Sequence, residues 1–209
     1  MKRRQQTRDL SRRRPERLPR RRLLVVCEGQ RTEPDYLLGY QRYVHNATVE
    51  IVIPPDRGDP RKVVEIAKSR KQSATAETRR QQDPNLAFDE VWCVFDRDDH
   101  ERFADACQMA RDNQFKLAVS NPCFELWVLL HFRDSPGMQH RTGVLRMLRD
   151  QLPDYDKRLE FNDVAQGVPD AVARAQRLDA DATAMGEPER NPTTGVYRLA
   201  NSIARSDDA

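Results

Sequence analysis

The chain has 209 residues, of which 38% are hydrophobic and 33% charged, and its formal net charge is +3. This size predicts one compact domain, alone or with a short appendage, and no internal repeat is visible. Its longest apolar runs fall far short of the ~20 residues that cross a bilayer, so we expect no membrane partner. The N-terminus also lacks the apolar region of a signal peptide, which predicts a cytoplasmic protein.

Positive charge is concentrated in residues 1–22, which hold eleven Lys or Arg residues and only two acidic residues. Such a segment has too little apolar surface to offset its ordering entropy, so we expect a disordered basic arm. Its natural partner is a polyphosphate such as nucleic acid, although a solubilising tail has the same composition. The candidate nucleic-acid contacts in the arm are Arg12, Arg13, Arg14, Arg20, Arg21 and Arg22.

The four cysteines show neither the spacing of a zinc site nor that of a small disulfide framework. We expect them to be reduced residues packed in the core, as in a cytosolic protein. They are Cys27, Cys93, Cys107 and Cys123.

Four apolar runs, partly β-branched and mostly ended by polar residues or proline, predict strands buried on both faces. Helical patterns lie between them, including one opened by Thr32 as N-cap with Asp35 three residues later, and another opened by Asp59-Pro60. This alternation predicts a doubly wound, mainly parallel four-stranded sheet with helices on both faces. The four strands are Leu23–Cys27, Val49–Ile53, Val91–Phe95 and Phe115–Val119.

The rest of the chain shows helical patterns. Pro122 to Phe132 predicts a helix, although its composition also permits a strand, and residues 72–84 fit either a helix end or a loop. Beyond Gly137 only helical spacing is found. We therefore predict an α/β core over residues 23–135 and a helical C-terminal subdomain packed on it over residues 136–209.

Acidic residues follow two of the predicted strands. Glu28 comes after the first strand, and Asp96 and Asp98 come after the third. Parallel sheets bind ligands at the carboxyl ends of their strands, so these carboxylates are expected to face one crevice. Clustered carboxylates repel one another unless a cation neutralises them, and Mg²⁺ prefers oxygen ligands. Asp96 and Asp98 are candidate metal ligands, and Glu28 a further ligand or the general acid/base.

Other interpretations of these acidic residues remain open. They are also ordinary helix caps, and Asp98 or Asp99 could cap the next helix. A calcium loop is excluded because Glu101 stands where that loop requires glycine. The segment after the third strand also resembles the nucleophile motif of haloacid-dehalogenase phosphatases, although His100 replaces the Thr or Val of that family.

Three sequence blocks together resemble the motifs of RloB-like proteins, in the same order. They are Cys27 to Pro34, Val94 to His100 and Asn121 to Trp127, and a further likeness at Arg190 to Thr194 extends the resemblance over roughly Leu23 to Ile203. RloB-like proteins are similar in turn to the Toprim fold of topoisomerases, primases and related nucleases.

The resemblance implies a site in which Asp96 and Asp98 hold Mg²⁺ or Mn²⁺ and Glu28 serves as acid/base or ligand. Glu125 lies in the third block and would be an added ligand. The short chain leaves no room for the tyrosine domain of a topoisomerase, so hydrolysis is the expected chemistry. The resemblance also implies phage defence of the abortive-infection type beside an ABC-type ATPase.

The sequence, together with this resemblance, predicts a Mg²⁺-dependent Toprim-like nuclease, with Arg31 and Arg97 as further contacts to the nucleic-acid backbone. Its composition is compatible with a homo-oligomer. The first alternative is a non-catalytic nucleic-acid-binding or sensor module, in which the acidic residues only cap helices. The second is a phosphatase of the dehalogenase kind, which would form an aspartyl-phosphate on Asp96.

Overall fold

One mixed sheet forms the centre of the molecule in the computed structural model, which describes residues 21–53, 59–97 and 102–205. The strand order is β2-β1-β3-β4-β5; the first four strands are parallel, and β5 is antiparallel to β4. The predicted α/β class with a mainly parallel sheet is confirmed. The strands are β1 (Leu23–Cys27), β2 (Val49–Val52), β3 (Glu90–Asp96), β4 (Lys116–Asn121) and β5 (Thr193–Thr194).

The fifth strand was not predicted. It lies in the part of the chain where only helical spacing is visible, and it is two residues long. A strand this short leaves no alternation to detect in a sequence. Its register is set by the sheet instead, since Ser120 pairs with Thr194 and their hydroxyl oxygens lie 2.8 Å apart.

Seven α-helices cover the sheet in the described ranges. The Asp59 carboxylate accepts a hydrogen bond from the Arg61 amide at 2.9 Å, which confirms the predicted cap, and the polar stretch from residue 72 continues that helix to Gln81. No helix within the described ranges has the length and apolarity to cross a membrane. The helices are α1 (Thr32–Tyr43), α2 (Pro60–Gln81), α3 (Phe103–Asp112), α4 (Glu125–Leu129), α5 (Arg141–Gln151), α6 (Val168–Ala184) and α7 (Val196–Ala204).

Alternating residues of β1 contribute to two hydrophobic cores, one on each face of the sheet. Leu24 and Val26 pack with residues of α2 and α3. Leu23 and Val25 pack with residues of α1 and of α4 to α7, so a single core includes residues from both ends of the described chain. This two-sided burial explains why β1 is a continuous apolar run.

The register of the parallel strands brings their carboxyl ends to one edge of the sheet. Cys27 at the end of β1 pairs with Val94, and Asp96 at the end of β3 pairs with Ser120. The Glu28 amide donates to the Val94 carbonyl at 2.9 Å, which fixes the first residue after β1 beside β3. We call this edge the carboxyl edge.

Candidate active site

Two of the predicted acidic residues meet at the carboxyl edge. Glu28 Oε2 accepts a hydrogen bond from the backbone amide of Asp96 at 3.2 Å. Because β1 and β3 are neighbours, the side chain after one strand reaches the last residue of the other. Asp98, the other half of the predicted Asp-x-Asp pair, lies outside the described residues.

Asp96 is buried and held from two sides. Its Oδ1 accepts a hydrogen bond from the Phe124 amide at 2.8 Å, and its Oδ2 lies 3.2 Å from the Arg141 guanidinium. Burial raises the pKa of Asp96 well above its usual value, and the negative charges of Glu33 and Glu125 raise it further, while Arg141 opposes them. Burial and neighbouring acidic residues therefore disfavour the charged form of Asp96, and Arg141 only partly offsets this effect.

The beginning of α1 differs from the prediction. Thr32 is the first residue of the helix, and the residue before it makes no capping bond. The Thr32 hydroxyl lies 2.7 Å from the Tyr155 hydroxyl and donates to the Lys157 carbonyl at 3.2 Å. Asp35, the other half of the predicted capping pair, accepts from the Leu159 amide at 3.3 Å. The predicted cap is wrong because tertiary contacts engage both side chains.

Glu33 is a buried carboxylate of the site that sequence reasoning missed. Burial raises its pKa to about 7, with a further contribution from the charge of Glu125. A β-carbon at Gly29 would overlap the Glu33 carboxylate, so glycine leaves the space that this group occupies. Its position in the first motif block was the one available signal.

Glu125 is the first residue of α4 and lies buried at the same edge. Its Oε1 accepts a hydrogen bond from the Tyr155 hydroxyl at 3.1 Å and forms an ion pair with Lys157. Although burial opposes the effect, Lys157 lowers the pKa of Glu125. The proposed role of Glu125 as a metal ligand stays a prediction, since this oxygen already has two partners.

Three residues of the C-terminal half complete this network without having been predicted there. Arg141 begins α5, and Tyr155 and Lys157 lie in the loop that follows that helix. No periodicity marks polar residues in loops, so the sequence offered no signal for this arrangement.

Two arginines near the carboxylates differ in their surroundings. The Arg97 guanidinium donates to the Glu189 carbonyl at 2.9 Å and lies 5.6 Å from the Phe103 ring centroid. Arg31 is exposed and lines a groove beside α1. Both stay predicted contacts to nucleic acid.

Of the basic arm, only its last two residues are described. The Arg21 guanidinium contacts Glu90 and the Ser202 carbonyl, and Arg22 donates its amide to Asp89 at 2.7 Å. These contacts lie at the amino end of β1, away from the carboxyl edge. Arg12, Arg13, Arg14 and Arg20 lie outside the described residues.

The buried cysteines and His131 belong to the core. All four cysteines are free and buried, and burial raises the pKa of Cys93 to about 12. The ring nitrogens of His131 contact the Tyr36 hydroxyl at 3.1 Å and the Trp127 carbonyl at 3.0 Å, and burial lowers its pKa to about 4. Among the described residues, no three or more His, Cys, Asp or Glu side chains are grouped to hold a metal ion.

The model of the RloB-like protein family matches residues 23–203, from the start of β1 into α7. The chain belongs to this family. The three motif blocks of this RloB-like protein all contribute to the carboxyl edge, through Glu28, Asp96 and Glu125. No curated protein and no solved structure matches the chain.

Proposed function

We propose that this RloB-like protein is a metal-dependent nuclease that hydrolyses phosphodiester bonds in nucleic acid. The observation that carries the proposal is the 3.2 Å contact between Glu28 Oε2 and the Asp96 amide. It joins two carboxylate residues from neighbouring parallel strands at the edge where α/β sheets bind their ligands. Family membership supports the same assignment.

The chemistry of these side chains fits a hard divalent cation. Burial, followed by the nearby charges of Glu33 and Glu125, raises the pKa of Asp96, and a bound Mg²⁺ or Mn²⁺ would favour its charged form. Mg²⁺ needs only one or two carboxylates when waters and substrate phosphates complete its shell. We assign it to Asp96 and Asp98, with Glu28 and Glu125 as further candidates. When bound, it would stabilise charge on the phosphoryl oxygens and activate a water molecule.

The protein's own groups would orient the metal ligand Asp96 and transfer protons. The Phe124 amide and Arg141 hold both oxygens of Asp96, so this carboxylate is oriented before any substrate arrives. Glu28 lies next to it and is the proposed general acid/base, because a carboxylate at the mouth of the site can exchange a proton with a reacting oxygen.

We place this activity in phage defence of the abortive-infection type, with an ABC-type ATPase as partner. Family membership supports this setting, and no Gly-x-x-x-x-Gly-Lys-Ser/Thr segment occurs in the chain, so ATP hydrolysis would belong to the partner. The four free cysteines suit the reducing cytoplasm.

The test is a cleavage assay with the purified protein on mixed single- and double-stranded DNA and RNA, in Mg²⁺, in Mn²⁺ and in EDTA. We expect cleavage only with metal, and a loss of about 10³-fold in Glu28→Gln and Asp96→Asn, equivalent to several kcal/mol of transition-state stabilisation. Asp150→Asn is the matched control, because Asp150 is exposed on α5. If the protein binds nucleic acid without cleaving it, both alone and with the proposed ATPase partner, the nuclease proposal is rejected in favour of a binding module.

A further inference from the structure

A groove of about 720 Å³ runs along α1. Arg31, at the start of α1, lies three residues beyond Glu28, and Tyr43 is the last residue of the helix. The twelve residues of α1 span ~18 Å at 1.5 Å per residue. The opposite wall is formed by residues 158–162.

Three arginines give this groove its positive charge. Arg31, Arg42 and Arg158 all line it and are exposed. Within the described part of the chain none of them forms an ion pair, whereas other arginines such as Arg174 do. The Arg42 Nε donates to the Leu38 carbonyl at 3.1 Å, which leaves its terminal nitrogens for other partners. Guanidinium groups that line one concave surface are suited to bind phosphate oxygens.

The groove also contains two carboxylates, which do not cancel this charge. Asp35 accepts a hydrogen bond from the Leu159 amide at 3.3 Å, so it joins the two walls. Glu160 is exposed at the rim. Three guanidinium groups and two carboxylates leave the groove with an excess of positive charge.

The far end of the groove carries an exposed aromatic ring. Tyr43 is 54% exposed, although its ring stacks on Tyr40 at a centroid distance of 6.4 Å and lies 5.5 Å from the Phe161 ring. Tyr40 in turn stacks on the buried ring of Tyr36 at 6.1 Å. Three rings at helical spacing thus form a ladder whose last member is accessible.

Close packing of the two walls fixes this ring in place. A β-carbon at Gly39 would overlap the Phe161 side chain, so glycine is needed for residues 158–162 to approach α1. Phe161, held there, supports one side of Tyr43. An exposed ring that is already ordered loses little entropy when a flat ligand stacks on it.

We propose that this groove binds a single-stranded segment of polynucleotide, with its phosphates on Arg31, Arg42 and Arg158 and an unpaired base stacked on Tyr43. The proposal rests on the nuclease function, because the bound strand would follow this groove to the carboxyl edge, where it would be cleaved. An arginine groove with a stacking ring is the combination that single-strand-binding proteins use. A base within a duplex is already stacked and cannot use the ring in this way.

The test measures fluorescence anisotropy of labelled single-stranded DNA and RNA, and of the same sequences as duplexes, with the full chain in EDTA. We expect Tyr43→Leu to weaken single-strand binding about 5- to 150-fold, from the worth of one stacked base. Tyr43→Phe keeps the ring and should bind within about twofold of the wild type. Residues 1–22 are the same in every variant, so their contribution cancels.

Arginine variants test the phosphate contacts separately. Arg31→Gln/Arg158→Gln should reduce the slope of log affinity against log salt by roughly 1.4, because each phosphate contact in a single strand contributes about 0.7. The matched control is Lys68→Gln/Arg79→Gln, which removes two positive charges from a second groove, beside α2. This control should leave the Tyr43-dependent part of binding unchanged.

Two results would overturn the proposal. One is a preference for duplex with no effect of Tyr43→Leu, and the other is equal losses in the arginine pair and in its control. The failure of the proposed function is distinguishable from these outcomes. Tyr43-dependent binding without cleavage would reject the nuclease and keep the groove, whereas cleavage by a protein that gives either of these two binding results would keep the nuclease and reject the groove.

Discussion

Glu33 and Glu125 are both buried at the carboxyl edge, yet their pKa values are displaced in opposite directions. Burial raises the pKa of Glu33 to about 7. Burial acts on Glu125 as well, but there the ion pair with Lys157 outweighs it and the pKa is lowered. In the described ranges Glu33 has no ion pair, whereas Glu125 contacts both Lys157 and Tyr155.

The difference between the two glutamates comes from the second half of the chain. Lys157 and Tyr155 follow α5, and Arg141, which pairs with Asp96, begins it. The strands bring the carboxylates together, and Arg141 and Lys157 lower the pKa values of Asp96 and Glu125 against the effect of burial. The proposed divalent cation would add to this effect, because a bound cation favours the charged form of a carboxyl group.

The largest effect is expected at Glu33. A carboxyl group whose pKa is raised binds more protons in the folded state, so between pH 4.5 and about 7 the free energy of unfolding falls as the pH rises. Glu33→Gln removes this penalty. The variant should match the wild type near pH 5 and exceed it by up to about 3 kcal/mol at pH 8.

Chemical denaturation in EDTA at both pH values measures this difference without interference from metal. Glu65→Gln, at an exposed position of α2, is the control. If the free energy of unfolding of Glu33→Gln and of Glu65→Gln changes with pH in parallel with that of the wild type from pH 5 to pH 8, the pKa of Glu33 is not raised.

A smaller effect is expected at Lys157. Lys157→Met leaves the buried Glu125 without its cation and should cost about 1–3 kcal/mol at pH 7, less than for a fully buried pair because Lys157 is partly exposed. Because the folded-state pKa of Glu125 is lowered, the stability due to the pair is present above its unfolded pKa and lost in acid. The cost should therefore shrink as the pH falls towards 4.

Thermal or chemical unfolding of three variants isolates the pair. Glu125→Gln in the Lys157→Met background should recover part of the loss, since no buried charge then remains. Lys68→Met removes an exposed lysine from α2 and serves as control. If Lys157→Met lowers the free energy of unfolding no more than this control does, the ion pair does not stabilise the charged form of Glu125. The contrast between Glu125 and Glu33 would then be lost.

The smallest effect is expected at Arg141 and depends on the proposed metal site. Arg141 lowers the pKa of Asp96, so Arg141→Gln should raise it and favour the protonated carboxyl group. The pH of half-maximal Mn²⁺ binding should then move upward. A downward shift of this pH would mean that the positive charge of Arg141 repels the metal ion more strongly than it favours the charged form of Asp96.

The strand ends were predictable because they depend on local and general rules. Continuous apolar runs indicated β1 and β3, and the carboxyl-end rule placed Glu28 near Asp96. The partners of these carboxylates were not predictable, because Arg141 lies 45 residues from Asp96 and Lys157 lies 32 residues from Glu125. Such contacts depend on how distant segments pack.

The error at Thr32 has the same cause. A threonine before a helical pattern commonly caps the helix, and the local sequence favours that interpretation. The hydroxyl instead contacts Tyr155, which is 123 residues away. Local preference was overridden by a tertiary contact, and this happened at the candidate site itself.

The central claim is that the carboxyl edge binds a divalent cation, and the most direct measurement is Mn²⁺ binding by calorimetry at pH 8. An alkaline pH is used because the pKa of Asp96 is raised above its ordinary value. We predict saturable binding to the wild type and to Asp150→Asn, and an affinity at least about 10-fold weaker in Asp96→Asn. Mutation of a residue that only orients a metal ligand already lowers metal affinity about 10-fold or more, so loss of a ligand itself should lower it at least as much. Equal affinity in the wild type and in Asp96→Asn would contradict the account.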